Sequence, residues 1–216
     1  MPGAGRTHRV KPADVSLGTV WATVALAAAL WFVTFYLSFS IFWIKISLSA
    51  ALLAGFALWR DPPAPRPRLD AAAVVQGIVS AVVLWGIFWA GKQGSTLIFP
   101  FAEGQIGAIY GKGEGFSPTV IFFLLLLVTG PCEEIYWRGF LQKHLMARYG
   151  KLQGWLAASA VYALVHIWSL NFMLIGAAAV AGAFWGLCYW RWGRLAPVVV
   201  SHSLWSAVVF SLAPIP

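Results

Sequence analysis

The feature that most constrains this chain is a succession of apolar runs, each close to the ~20 residues that cross a ~30 Å hydrocarbon layer, separated by short breaks rich in Gly, Pro and charge. In lipid every backbone polar group must find its partner within the protein, so such a chain becomes a helical bundle or a closed barrel. Continuous runs without strict alternation predict helices. Composition agrees: 60% of the 216 residues are hydrophobic and 10% are charged, against roughly 25% charged in soluble domains. The expectation is an all-α protein, a polytopic transmembrane helical bundle of about seven spans. These run approximately from Leu17 to Leu37, Ile41 to Trp59, Ala71 to Ala90, Pro118 to Arg138, Leu152 to Trp168, Phe172 to Trp190 and Leu195 to Leu212. Residues 1–16 read as a cytoplasmic leader before a retained first span, and residues 17–216 as a single membrane domain.

The breaks carry their own signals. Ser38 to Lys45 predicts a tight hairpin between the first two spans. The segment "RDPPAPRPRLD", Arg60 to Asp70, is too rich in proline and charge to continue a helix and predicts an aqueous linker. The glycine-rich "GKQGSTLIFPFAEGQIGAIYGKGEGFSP" predicts a loop lying on the membrane surface. Net charge is +8, and the basic residues fall between apolar segments, which points to membrane topology and not to nucleic acid. With the N-terminus in the cytoplasm, Arg6, Arg9, Lys11, Arg60, Arg66, Arg68, Arg138, Lys143, Arg148, Lys151, Arg191 and Arg194 fall on the cytoplasmic side. Of the 15 Lys and Arg residues, Lys45, Lys92 and Lys112 remain outside. Cys132 and Cys188 lie in apolar segments and read as reduced.

Ionisable groups inside the spans are few: Glu133, Glu134, Arg138, His166 and His202. An acidic side chain at the centre of a membrane helix costs on the order of 2.5 to 3.5 kcal/mol on insertion scales, so two adjacent glutamates mark a candidate site. Glu134 and Arg138, four apart on one helix face, can neutralise each other at the cytoplasmic boundary. Glu133 lies ~100° around the helix and points elsewhere. The fourth and fifth spans meet near Gly150, with Glu133 and Glu134 preceding it by 17 and 16 residues and His166 following it by 16. If both helices run unbroken, with Gly139 the weak point and Pro131 no obstacle, all three lie roughly 24 to 26 Å from the turn and share one level. His202, in the last span, has a compatible depth. Gly182 and Gly186 are spaced for close helix packing, Asn171 sits in a short turn, and His8 and His144 read as solvated.

A carboxylate and a histidine in a low-dielectric pocket can hold and deprotonate a water molecule, and a second histidine with a nearby donor can stabilise an oxyanion. Two histidines and a carboxylate, here Glu133, His166 and His202, would equally make a zinc set with one open position. A proton relay in a transporter is a third use of the same groups. No Gly-x-Ser-x-Gly elbow, His-Glu-x-x-His helix or phosphate loop is present in the sequence.

"EEIYWRGF" resembles the Glu-Glu-x-x-x-Arg motif of the CPBP family of intramembrane proteases, which includes type II CAAX prenyl endopeptidases and the bacteriocin-immunity Abi proteins. "YALVH", Tyr162 to His166, is similar to the family's Phe-x-x-x-His, with tyrosine for phenylalanine. "GLCYWRWGRLAPVVVSHSLWS" is similar to its last segment, leading into His-x-x-x-Asn or Asp, with Ser206 standing at the final position. The three motifs appear in the family's order over about residues 118–209. The resemblance implies an intramembrane endopeptidase acting on a membrane-anchored protein or peptide near its C-terminus, embedded in the lipid bilayer of the plasma membrane. Glu133 and His166 would activate water, Glu134 and Arg138 would organise the first motif, and His202 with Ser206 would form the oxyanion site. The family has been described both as metal-dependent and as glutamate-dependent; the expectation here is no metal cofactor, with zinc at Glu133, His166 and His202 as the alternative. The resemblance also admits a non-catalytic immunity or scaffold protein, for which Ser206 is the hint.

Overall fold

A computed structural model describes residues 15–62 and 68–216 of the chain. The leader with Arg6, His8, Arg9 and Lys11, and the centre of the proline-rich linker with Arg66, lie outside the described residues. Among the described residues the protein is all helix: α1 Leu17–Phe35, α2 Phe42–Arg60, α3 Ala71–Ile98, α4 Ala102–Tyr110, α5 Pro118–Tyr149, α6 Lys151–Val165, α7 Phe172–Trp192 and α8 Leu195–Ser211. Five of these, α1, α2, α3, α5 and α7, are long and apolar enough to cross a membrane. Large apolar side chains such as Leu48, Leu52, Val79, Val82 and Leu127 are exposed on the outside of the bundle. This is the surface of a helical membrane protein, whose solvent at mid-depth is hydrocarbon.

Local chemistry explains where the helices begin and turn. Ser16, Asp70 and Asn171 cap α1, α3 and α7, each side-chain oxygen accepting a backbone N–H of the first turn. Gly150, with φ of 87°, makes the reversal between α5 and α6, and a Cβ at Gly154 would lie 2.3 Å from the Met146 nitrogen. The two helices therefore leave their turn in near backbone contact, antiparallel as the sequence predicts.

Two expectations about the elements are corrected. The glycine-rich stretch is no surface loop: α3 extends through it to Ile98, and α4 follows, with Ile106, Ile109 and Tyr110 lining an internal cavity. Glycine lowers helix propensity without forbidding a helix that has packing partners. Helix α5 runs on past the predicted fourth span to the turn at Gly150, and within it Arg138, one of the set assigned to the cytoplasmic side, is buried against neighbouring helices, 2% exposed. The fifth span is short, since α6 ends at Val165 and His166 opens a 3-10 turn, His166–Ser169, that closes at Leu170 with a left-handed φ of 50°.

One end of the bundle gathers the remaining described basic residues of that set. Arg194 meets Asp70 at 2.7 Å, and Lys143 pairs with Asp61, which also has His144 Nε2 3.2 Å away. His144, expected to be solvated, is buried, with Nδ1 bonded to the Phe140 carbonyl at 2.8 Å. The i−4 carbonyl satisfies a ring that would otherwise face apolar surroundings.

Helix α8 is the element that most directly places the site. It lies between α3 and α5, and at both contacts a glycine is required for the approach. A Cβ at Gly77 would fall 2.5 Å from Val200, and one at Gly130 would fall 2.7 Å from the Ser203 Cα. Small residues let membrane helices approach closely where no hydrophobic drive exists between them. Gly130 precedes Glu133 and Glu134 by one turn, and Ser203 follows His202, so the α5–α8 approach sets these groups side by side.

Candidate active site

The segment Gly130–Tyr136 of α5 carries Glu133 and Glu134 between two wide π-helical turns, Leu125–Thr129 and Trp137–Gln142. Pro131 lacks an N–H and its ring crowds the carbonyl four residues earlier, and the wide turn just before it accommodates this without breaking the helix. Both carboxyls are buried, Glu133 6% and Glu134 0% exposed, and they diverge as the ~100° step predicts.

Glu134 points away from any opening. Its Oε1 accepts Arg138 Nη1 at 2.7 Å and lies 2.6 Å from His202 Nδ1. The Arg138 guanidinium also donates to the Gly182 carbonyl at 3.1 Å and lies over the Tyr162 and Trp185 rings, at 4.9 and 5.7 Å from their centroids. Trp185 stacks on His202 with centroids 3.9 Å apart and donates its indole N–H to Ser201. His202 is thus held by a hydrogen bond at one edge and an indole against one face.

Glu133 takes the other direction. Its Oε2 accepts the Tyr162 hydroxyl at 3.0 Å. One turn on, His166 Nδ1 is 2.7 Å from the Tyr162 carbonyl, and Nε2 lies 3.3 Å from Trp31 Nε1. A carbonyl accepts and an indole N–H donates, so this pattern places the proton on Nδ1 and the lone pair on Nε2. Tyr162 therefore touches both Glu133 and His166, which brings the two within the reach of one side chain.

Four of the six predicted site residues, Glu133, His166, His202 and Ser206, line one cavity of about 470 Å³; Glu134 and Arg138 stand behind it. The volume falls in the range of ligand-binding pockets, roughly 300–1,000 Å³. Its walls are otherwise mostly apolar, with Ile46, Leu125, Trp205 and Val209 among the lining residues.

Sequence reasoning missed three contributors. Tyr162 registered as a substitution for phenylalanine, yet its hydroxyl binds Glu133; a buried tyrosine in an apolar run calls for a hydrogen-bond partner, and that was the available signal. Trp31 of α1 and Trp185 of α7 carry no local signal in the sequence that marks their contacts with His166 and His202. Gly182 and Gly186 do serve close packing. A Cβ at Gly182 would lie 2.7 Å from the Tyr162 ring and one at Gly186 2.8 Å from Gln142 Oε1, while their carbonyls accept Arg138 and Gln142. Asn171 caps α7 and ties it to α4 through the Gln105 carbonyl at 2.8 Å. Cys132 and Cys188 are free thiols.

Among the described residues no three His, Cys, Asp or Glu side chains are gathered closely enough to hold an ion. His166 Nε2 receives the Trp31 indole, while His202 is bonded to Glu134 through Nδ1 and keeps Nε2 uncommitted.

Comparison with known proteins adds one match. Residues 115–208 match the family model "Type II CAAX prenyl endopeptidase Rce1-like". No curated protein and no solved structure matches the chain. The matched stretch begins just before α5 and ends within α8, and so contains all six candidate site residues and the α5–α8 approach that pairs Glu134 with His202. Over residues 115–208, then, the chain is similar to the Rce1-like endopeptidases, in the same stretch that carries the three motifs.

Proposed function

We propose that the protein is an intramembrane endopeptidase that hydrolyses a peptide bond in a membrane-associated protein or peptide, near the substrate's C-terminus. The observation that carries this reading is the shared cavity: Glu133, His166, His202 and Ser206 border one mainly apolar space among the helices. A water there is held by Glu133, whose other oxygen is fixed by Tyr162, and by His166, which offers Nε2 in place of its long contact with Trp31. Glu133 takes the water's proton as hydroxide attacks the scissile carbonyl. The oxyanion faces His202 and Ser206, with Glu134 and Arg138 fixing the imidazole, and the proton on Glu133 passes to the departing amine. The protein belongs in the plasma membrane with its N-terminus in the cytoplasm. The end carrying Arg60, Lys143, Arg148, Lys151, Arg191 and Arg194 then faces the cytoplasm.

The test is cleavage of candidate tail peptides by wild type, Glu133→Gln and His166→Ala in detergent or liposomes. Loss of general-base assistance lowers kcat by about 10² to 10⁴-fold. Undiminished cleavage by either variant overturns the assignment. Wild type inactive on every membrane-anchored tail, with Ser206→Asn restoring turnover, assigns the chain to the family's non-catalytic members. Peptide-independent, pH-driven flux through proteoliposomes would instead identify a transporter.

A further inference from the structure

After α8 ends at Ser211 the chain does not continue outward. Leu212 is 64% exposed, but Ile215 turns back and is buried, 5% exposed, in the cluster that includes Trp185 and Trp205. Both backbone groups of Ile215 are held by side chains from other elements. Its N–H donates to the Tyr110 hydroxyl of α4 at 3.2 Å, and its carbonyl accepts Lys92 Nζ of α3 at 2.9 Å. Gln93 Nε2 donates to the Pro216 carbonyl at 3.2 Å. Ile215, Lys92 and Tyr110 line the same cavity as Glu133 and His202.

This is how a protein holds an extended peptide: side chains pair with the backbone of one residue, which is indifferent to sequence, while a pocket receives the side chain, which is not. Pro214 biases the residue before it toward extended backbone, and neither Pro214 nor Pro216 has an N–H of its own to satisfy. Lys92 and Tyr110 are half-buried, and each spends its polar group on the backbone of Ile215. Lys92 lies in the last two turns of α3, and Tyr110 is the last residue of α4.

We infer that Lys92 and Tyr110 form a backbone-reading subsite at the mouth of the cavity, that it takes a residue with an aliphatic side chain from an extended peptide, and that Ile215 fills it until such a peptide displaces it. The substrate class rests on the peptidase reading; the subsite itself does not. Occupancy by Ile215 lowers apparent affinity by the fraction of molecules in which the subsite is free.

The experiment uses the full chain in detergent with Glu133→Gln present, so that binding is read without cleavage, and a dye-labelled peptide of the sequence Ser211–Pro216 as probe. Ile215→Ala is expected to bind the probe about tenfold more tightly. Adding Tyr110→Phe should then weaken binding about three- to tenfold, the loss of one backbone hydrogen bond. A probe with aspartate in place of the isoleucine should bind at least about tenfold more weakly to every form. If Ile215→Ala does not fold, by its melting curve, Ile215→Asp, which sends the side chain to water, takes its place. No gain in affinity on releasing Ile215, or no loss on Tyr110→Phe, overturns the inference. The two readings fail separately. Probe binding as expected with no cleavage by the Glu133 form leaves the subsite and removes the peptidase. Glu133-dependent cleavage with affinity unmoved by Ile215→Ala leaves the peptidase and removes the subsite.

Discussion

His202 Nδ1 lies 2.6 Å from Glu134 Oε1, the same oxygen that accepts the Arg138 guanidinium at 2.7 Å. One carboxylate oxygen thus joins α5 to α8 and orients the ring that faces the cavity, with no contribution from Glu133. The two adjacent glutamates should therefore separate by assay. Glu134→Ala leaves a buried guanidinium unpaired and should destabilise the protein by about 3–5 kcal/mol, while Glu133→Gln should abolish turnover with little change in melting. Thermal unfolding followed by tryptophan fluorescence, alongside cleavage, distinguishes them; equal destabilisation by both would contradict this division.

Ser206 is buried and lines the cavity one turn beyond His202. As an oxyanion donor its removal in Ser206→Ala should lower kcat by about 10²-fold while KM stays near wild type. Ser206→Asn, with a longer amide donor, should keep or raise turnover. A Ser206→Ala enzyme with unchanged kcat would show that His202 acts there alone.

Gly182 exists to admit the Tyr162 ring, 2.7 Å from where its Cβ would stand. Gly182→Ala should push the ring aside and loosen both the Glu133 contact and the guanidinium lying over it. The expected cost is about 1–3 kcal/mol of stability, together with a fall in kcat. Gly55, which has open space around it and does not line the cavity, is the control: Gly55→Ala should leave both measurements unchanged.

Asp70 caps α3 and meets Arg194, and those two bonds, the Arg194 guanidinium first and the Ala73 N–H second, hold its carboxyl below the ordinary value of 3.8. A depressed folded value means stabilisation that is present above 3.8 and is lost as the pH falls through the folded value. Acid unfolding of wild type should therefore show a contribution that Asp70→Asn lacks, and above neutrality the variant should be uniformly less stable. A pH profile of melting temperature displaced in parallel at every pH would refute the link.

Metal dependence is open to a direct measurement. With Glu133, His166 and His202 not gathered around one point, cleavage should be unchanged by a strong chelator, and purified active protein should carry no stoichiometric zinc. Loss of activity on chelation with recovery on zinc addition would restore the Glu133, His166 and His202 ligand set.

The sequence by itself determined the helical membrane bundle, because runs of apolar residues near the thickness of a bilayer leave the backbone no other way to pair its polar groups. It also determined that Glu133 and Glu134 diverge, that Glu134 meets Arg138, and that His166 comes level with both, since helix pitch and one turn at Gly150 are enough to compute these relations. Tertiary structure alone decided the rest. That Glu134 takes His202, that Tyr162 stands between Glu133 and His166, and that indoles from α1 and α7 hold the two histidines all depend on which faces of distant helices pack together. The glycine-rich stretch became the end of α3 and the whole of α4, and Arg138 is enclosed by neighbouring helices, for the same reason. Local propensity and charge counting see one segment at a time, whereas burial against neighbours decides whether a weak helix holds and whether a charge has a partner inside.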